Sequence, residues 1–476
     1  MNTKIERRII IAASTLILTF FMNPAHLSAQ TPPSPSPQQP HSLRPVETLP
    51  VDALVEKYDL PTKTPGEKMT LEQAIKAADE RNLSLAAMKA EIAVAQGRLK
   101  TAWGGVLPII QGKMGYKLYD HEDTFAMGPQ ELVVNPQHDV DGQIEASLSI
   151  VDAKAWFAIR VAKEARELAH MNVETVRQQI FLNVAEAFFS CLMAEKLIDI
   201  HMATLAAFDY QRNIAESRFK AGGGLRIDVV RAETDLEIAK QQLISANLFF
   251  DNARDALAVL TDTEGLPMPV DPKPVPVPEK DIASLQKEAL ETRRDIKAAR
   301  AAADVQRTQV NESYMRFVPV ISSAWSGSYQ FTDPGDLGSD DRSRMIAMFS
   351  LTVPIYDHFR YGELHSRRAL VKKSELEIDG AELRITMEVR KARRDYMAAL
   401  ASVETARKQS DLSKEALGLT EAAYNAGTGN SLDVTDARRT ALQSDVNYAT
   451  RRLEAQTALL RLIYSIGDDL SSLGKE

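Results

Sequence analysis

"VDGQIEASLSI", residues 140–150, alternates without a break. Val140, Ile144, Ala146, Leu148 and Ile150 fall on one side of an extended chain, and Asp141, Gln143, Glu145, Ser147 and Ser149 on the other. "IIQGKMGYKLY" (109–119) keeps the same period, with Ile110, Gly112, Met114, Tyr116 and Leu118 opposite Gln111, Lys113, Gly115, Lys117 and Tyr119. A period of two over about ten residues, with one polar face, suits a strand that has lipid on one side and water on the other. The pattern returns later. Trp325, Tyr329 and Phe331 alternate with Ala324, Ser326, Ser328 and Gln330, and Met345, Ala347, Phe349, Leu351 and Val353 follow. Tyr116, Tyr119, Trp325 and Tyr329 are candidate interface aromatics.

An ordinary half-buried sheet of a water-soluble domain would also alternate, but these strands have little to pack on. Their flanks are long helices. The 22 prolines are confined to the first 65 residues, to 108–136, to 267–278 and to 319–354. Proline costs a helix interior about 3 kcal/mol, so the proline-free stretches are informative. Residues 153–221 contain neither proline nor glycine, and 225–264 and 281–318 are equally clean. Ile180, Val184, Phe188 and Leu192 recur at helical spacing. The expected helices are about 153–219, 228–262, 358–424 and 433–466. A helix of ~65 residues is ~100 Å long at 1.5 Å per residue, which implies a coiled coil or an extended tube.

Four strands cannot close a membrane barrel, since single-chain barrels begin at about eight. An open edge in hydrocarbon leaves backbone groups unsatisfied at several kcal/mol each. The strands must therefore be completed by other copies; hydrogen-bond accounting alone permits two, three or four.

The chain is also written twice. "FKAGGGLRIDVVRAE" (219–233) and "YNAGTGNSLDVTDAR" (424–438) are copies of one turn at an offset of 424 − 219 = 205. Ile150-Val151-Asp152 and Ile355-Tyr356-Asp357 keep that offset, whereas "VLPI" (106–109) and "VPV" (318–320) sit at 211. Six extra residues therefore belong to the first hairpin. Each half reads helix, hairpin, long helix, glycine turn, helix. The expected organisation is a signal peptide (1–29), a Pro-rich extension (30–67), a first repeat (68–264, hairpin 109–150), a Pro-rich linker (265–280), a second repeat (281–470, hairpin 318–356) and a tail (471–476).

Signal, duplication, two hairpins and the twice-used motif aromatic-x-A-G-x-x-x-x-[IL]-D-V together resemble the TolC-like outer-membrane efflux channels, over roughly residues 68–470. The resemblance implies a mainly α protein with a small membrane β part: long helical hairpins form an α-barrel through the periplasm, and four strands per chain join a homotrimeric, 12-stranded outer-membrane β-barrel. It implies a passive duct serving an inner-membrane pump or secretion transporter through a periplasmic adaptor. The two turns become the periplasmic tip. Gly222, Gly223, Gly224, Gly427 and Gly429 supply the tight backbone of a helix reversal and, by the resemblance, a small surface for adaptor contact. Asp433 and Asp436 match the acidic rings of the closed pore, and Asp228 the acidic position of the first turn. Asp in a first helical turn also complements the helix dipole without any pore role. Gly429 stands where some relatives carry an arginine that ties the tip, leaving Arg226 and Arg231 as nearby cations.

Other features bound the function. Lys4, Arg7 and Arg8 precede an apolar run, Ile9 to Met22, and "AHLSAQ" offers a cleavage point near Ala29. Cys191 is the single cysteine, so a disulfide framework is excluded, and it reads as a small core residue. A net charge of −8 without a basic block argues against nucleic acid. No H-E-x-x-H, C-x-x-C, P-loop or nucleophile elbow occurs. His358 and His365 lack a third ligand. No enzyme activity, metal or cofactor is expected. "DHEDTF" (120–125) and "DPGDLGSDD" (333–341) are expected as polar extracellular loops. A periplasmic adaptor would have one helical hairpin between β-rich domains, and a coiled-coil spacer would need no alternating strands. The strands and the second turn favour the duct.

Overall fold

The computed structural model describes residues 50–272, 277–278, 280–332 and 341–472. The expected signal, the Pro-rich extension up to residue 49, residues 273–276 and 279 of the inter-repeat linker, and most of the second polar loop and of the tail lie outside them. Two short elements open the described chain, α1 (Val51–Lys57) and β1 (Glu67–Met69). The first repeat runs α2 (Leu71–Arg81), α3 (Leu83–Trp103), β2 (Ile109–Leu118), β3 (Asp123–Met127), β4 (Gln130–Asn135), β5 (His138–Val151), α4 (Ala153–Lys220) and α5 (Arg226–Thr261). After β6 (Pro267–Pro269) the second runs α6 (Ile282–Thr292), α7 (Arg294–Met315), β7 (Val320–Gln330), β8 (Ser343–Thr352), α8 (His358–Asn425) and α9 (Ser431–Ile466).

The duplication is visible in the element bounds. Adding 205 to α4 gives 358–425, the bounds of α8, and adding 205 to α5 gives 431–466, those of α9. α4 and α8 are each 68 residues, ~100 Å at 1.5 Å per residue. Both start from the same device. Asp152 accepts a hydrogen bond from the Ala155 N–H at 3.1 Å, and Asp357 one from the Phe359 N–H at 3.0 Å. The N-cap carboxylate satisfies an otherwise orphaned amide and turns strand into helix.

The four long strands form one antiparallel sheet in the order β2-β5-β7-β8, so β2 and β8 are its edges. Register keeps the two faces apart. Ile110 lies opposite Ala146, Gly112 opposite Ile144, and Ala146 opposite Trp325 on one face; Gln111 lies opposite Glu145 and Lys113 opposite Gln143 on the other. The apolar face is bare: Ile110, Met114, Ile144 and Trp325 are all more than half exposed. The polar face is tied together. Lys113 reaches Glu145 at 2.7 Å, and Lys117 reaches Asp139 at 3.1 Å and Asp141 at 3.2 Å. Ile346 and Met348 stand on that same face, opposite Ser326 and Ala324, so β8 is less polar there than its neighbours.

Three features depart from the sequence reading. The helix before each hairpin is broken, at Asn82 and at Arg293, where the backbone is extended (ψ 121° and 135°). Neither glycine nor proline marks the breaks. Asn82 accepts the Leu85 N–H at 3.1 Å and donates to the Leu260 carbonyl at 2.9 Å. Arg293, nearly buried, binds Asp295 and Glu388, each at 2.7 Å. The expected loop at 120–125 is partly a strand, since β3 pairs with β4 in a second small hairpin. That arm holds the extra residues of the first repeat.

The third departure is a strap. Residues 50–66 lie along α4 and α5. Leu54 and Val55 are buried in a cluster with Ile198, Leu205, Phe208, Leu243 and Phe250. Tyr58 donates to Asp209, Lys57 pairs with Asp209 at 3.0 Å, and Lys63 pairs with Asp199 at 2.8 Å. The fully buried Arg254 donates to the carbonyls of Thr64 (2.8 Å), Leu266 (2.7 Å) and Pro267 (3.0 Å). A planar guanidinium serves three carbonyls where an ammonium could not keep that geometry. The parallel pairing of β1 with β6 closes the strap against the inter-repeat linker.

The main core lies midway along the long helices. Phe181, Phe188 and Cys191 of α4, Ile385 and Val389 of α8, and Leu460 of α9 meet α2 and α6 there. Emptying such a position, as in Phe188→Ala, costs about 3–5 kcal/mol. Among the described residues no helix is long and apolar enough to cross a membrane.

Candidate functional site: the helical tip

Two helix reversals lie at the end of the helices remote from the sheet. In the first, the Ala221 N–H bonds the Ser217 carbonyl, the Gly222 N–H that of Phe219, and the Gly223 N–H that of Arg218, each at 3.0 Å. The second repeats this, with the Ala426 N–H on Ala422 at 3.0 Å and the Gly427 N–H on Tyr424 at 3.1 Å. Gly222 and Gly427, 205 apart, are left-handed with φ +75° and +80°, a conformation that costs an L side chain ~1–2 kcal/mol. Gly224 and Gly429, also 205 apart, are needed for a different reason. A Cβ at 224 would sit 2.9 Å from the Phe219 nitrogen, and one at 429 would sit 3.0 Å from the Tyr424 nitrogen. Gly223 has neither constraint, its counterpart being Thr428.

The three aspartates are placed unlike one another. Asp228, half-buried, accepts a hydrogen bond from Ser431 Oγ at 2.8 Å, which links the start of α5 to the start of α9. Asp433 and Asp436 are exposed. The Asp433 N–H is held by the Asn430 side chain at 2.9 Å, which fixes its place in the first turn of α9. Neither carboxylate has an ion-pair partner among the described residues. Their charge faces solvent, as a cation-attracting group requires.

The two hairpins are tied near the tip by cations other than Arg226 and Arg231, which are exposed. Arg218 of α4 stacks on the Tyr424 ring of α8, 4.2 Å from its centroid. Arg438 of α9 donates to the Ala207 carbonyl of α4 at 2.6 Å and pairs with Glu421. Arg439 pairs with the buried Asp235 of α5. The repeat itself carries the signal for these ties: at offset 205 Arg438 and Arg439 replace Glu233 and Thr234, and Arg218 corresponds to Ala423. A chain that breaks its symmetry with three arginines at one level is joining its halves there. Above the ties, an open groove of about 720 Å³ runs between α4, α8 and α9, lined by Ile200, Ala207, Leu417, Ala441 and Tyr448 among others.

A two-sided sheet with open edges, continued by ~100 Å helices that reverse at a small-residue tip, is the architecture of an outer-membrane channel protein. The chain belongs to the outer membrane efflux protein family, whose model matches residues 74–262 and 285–468. It is 22% identical over 365 residues to the outer membrane protein TolC of Salmonella enteritidis, covering 72% of each chain. Over 300 residues it is 26% identical to the cobalt-zinc-cadmium resistance protein CzcC of Cupriavidus metallidurans, covering 61% of this chain and 68% of that one. Among solved structures, CusC superimposes with a TM-score of 0.72 at 16% identity, over 84% of this chain and 92% of the other.

Proposed function

We propose that three copies of this chain form the exit duct of a tripartite efflux or type I secretion system, passing cargo from an inner-membrane transporter through the periplasm and outer membrane. The observation that carries the reading is the sheet. β2 and β8 are unpaired edges of a sheet whose outward face is bare hydrocarbon and whose inner face is ion-paired. In lipid such edges are satisfied only by β2 of one copy pairing with β8 of the next. Three copies of four strands give twelve, within the range of known barrels.

The tip is the gate in this reading. Asp433 and Asp436, repeated three times about the axis, form rings of negative charge that attract cations. Asp228 serves as a link to Ser431 rather than as a free ring. The adaptor meets the small tip residues, Gly222 to Gly224 and Gly427 to Gly429, and its helices enter the groove between α4 and α9. The duct is passive in this reading, and the energy comes from the inner-membrane partner.

Envelope fractionation with unheated and heated electrophoresis tests the proposal. The expected result is an outer-membrane species that runs as a trimer unheated and as a monomer after boiling. A monomer recovered with soluble periplasmic proteins would overturn it.

A further inference from the structure

We propose that the strap is shared between copies of this chain. It fills the lengthwise groove that α4 and α5 of one copy form with α8 of the next, and so leaves the groove within each chain, between α4, α8 and α9, as the open one for adaptor helices. This deepens, and rests on, the reading of the protein as a ring of copies.

The duplication supplies the geometry. Inside one chain α4 of the first repeat packs on α9 of the second: Arg438 donates to the Ala207 carbonyl at 2.6 Å and Arg461 to Glu186 at 2.7 Å. Head-to-tail contacts of this kind close into a ring when the rotation allows it, and the equivalent contact between copies brings α8 of one onto α5 of the next. Shifted by 205, the two contacts become Glu233 beside Leu412 and Ala256 beside Lys391. In that register Leu248 is level with Met397 and Val259 with Met387, and all four are more than half exposed in the single chain. Asp255 is level with Lys391; both are exposed, and neither has an ion-pair partner among the described residues. The two faces match in their apolar and in their charged positions.

The strap lies beside that joint. The α8–α9 hairpin lines the open groove with Lys414, Leu417, Asp445 and Arg452. Their counterparts in the first repeat are Asp209, Arg212, Lys240 and Asn247, and each of these holds the strap. Lys57 and Tyr58 bind Asp209, and Arg212 donates to the Tyr58 hydroxyl at 3.0 Å. Lys240 lies 3.8 Å from the centre of the Tyr58 ring, and Asn247 donates to the Pro61 carbonyl at 3.1 Å. The strap thus occupies the first-repeat version of a groove that stands open in the second. Exchange of Asp209 for Lys414, and of Lys240 for Asp445, removes the buried acid that Lys57 and Tyr58 require, which keeps the strap out of the second groove. The remaining wall of the open groove is α4, with Ile200 among its residues and Ala203 one turn on. Their counterparts Thr405 and Lys408 are exposed on α8, and a neighbouring copy presents them to the strap. Lys240 is level with Thr405 in the same register, so the exposed Glu56, two residues before Tyr58, comes within reach of Lys408.

Cross-linking between copies tests this. The purified full-length variant Glu56→Cys/Lys408→Cys, in which the native Cys191 is buried, is treated with a short bis-maleimide and run on a denaturing gel, with an unheated gel of the same sample reporting assembly. Covalent dimer and trimer bands are expected from the double variant, monomer from either single variant, and loss of the bands when Leu54→Ser/Val55→Ser detaches the strap. A bulky maleimide should label Ile200→Cys in the open groove freely, and its counterpart Thr405→Cys only once the strap is detached. Assembled protein whose chains stay separate on the denaturing gel, or equal labelling at 200 and 405 with the strap in place, overturns the shared strap. Protein that does not assemble at all would count against the ring itself, so the two failures are told apart.

Discussion

Alanine scanning of the first tip turn should separate three adjacent glycines that look alike in sequence. Gly222 has φ +75° with no atom near a would-be Cβ, so Gly222→Ala carries only the left-handed penalty, ~1–2 kcal/mol. Gly224 has an ordinary backbone, but its Cβ would lie 2.9 Å from the Phe219 nitrogen and 3.1 Å from Arg218 Cβ. Relief requires moving helix backbone, and overpacking of this kind costs ~1–3 kcal/mol. Gly223→Ala meets only the Arg218 carbonyl oxygen at 4.0 Å and should stay within about 0.5 kcal/mol. Amide hydrogen exchange across residues 217–229 reads local opening directly. One to two kcal/mol is about a 5- to 30-fold change in the open population, so Gly222→Ala should exchange faster by that factor and Gly224→Ala by about 5- to 150-fold, while Gly223→Ala changes less than about threefold. The second turn should behave alike at Gly427 and Gly429, with Thr428 already occupying the permissive middle position. If Gly223→Ala loosened the turn as much as Gly222→Ala, the assignment of separate causes would be wrong.

Acid should weaken the strap and the junction between α2 and α4. Burial by itself raises the Asp79 and Asp209 carboxyls, but Arg177 on the first, and Tyr58, Lys57 and Arg212 on the second, outweigh it and hold both below the ordinary value. Their folded pKa lies under the unfolded ~3.9, so their contribution is complete above about pH 4 and disappears as pH falls through the folded value. Melting curves of the protein should therefore drop below about pH 4, and Asp209→Asn should flatten the drop; an unchanged profile in that variant would remove Asp209 from the account. At the tip, Asp433→Ala with Asp436→Ala should weaken divalent-cation block of single-channel current in planar bilayers, and unaltered block would take both residues out of the pore. Cys191 is fully buried and its thiol is pushed up by burial to about 12, so maleimide should label it only after unfolding; rapid labelling of the native protein would contradict the packing of the main core.

Much of the architecture was legible because periodicity is a local property. Alternation at 109–118 and 140–150, and 68 residues without proline or glycine, each specify one backbone state over a long run. Sequence reading consequently placed α4 as about 153–219 against the observed 153–220, and α8 as about 358–424 against 358–425. Breaks that depend on a distant partner were not legible. Asn82 ends α2 because Leu260, 178 residues away, offers a carbonyl to it, and Arg293 ends α6 beside Glu388 and the Ser465 carbonyl. The glycines of the tip were found as a group, but one of the three in the first turn has no conformational duty.

The sequence alone determined the duplication, the long helices and the two-faced strands, since these follow from residue spacing. Tertiary structure decided which side chains join the halves. Arg218, Arg438 and Arg439 at the tip, Arg254 beneath the strap and the carboxylate of Asp209 act through partners far away in the chain, and only folding brings those partners within reach.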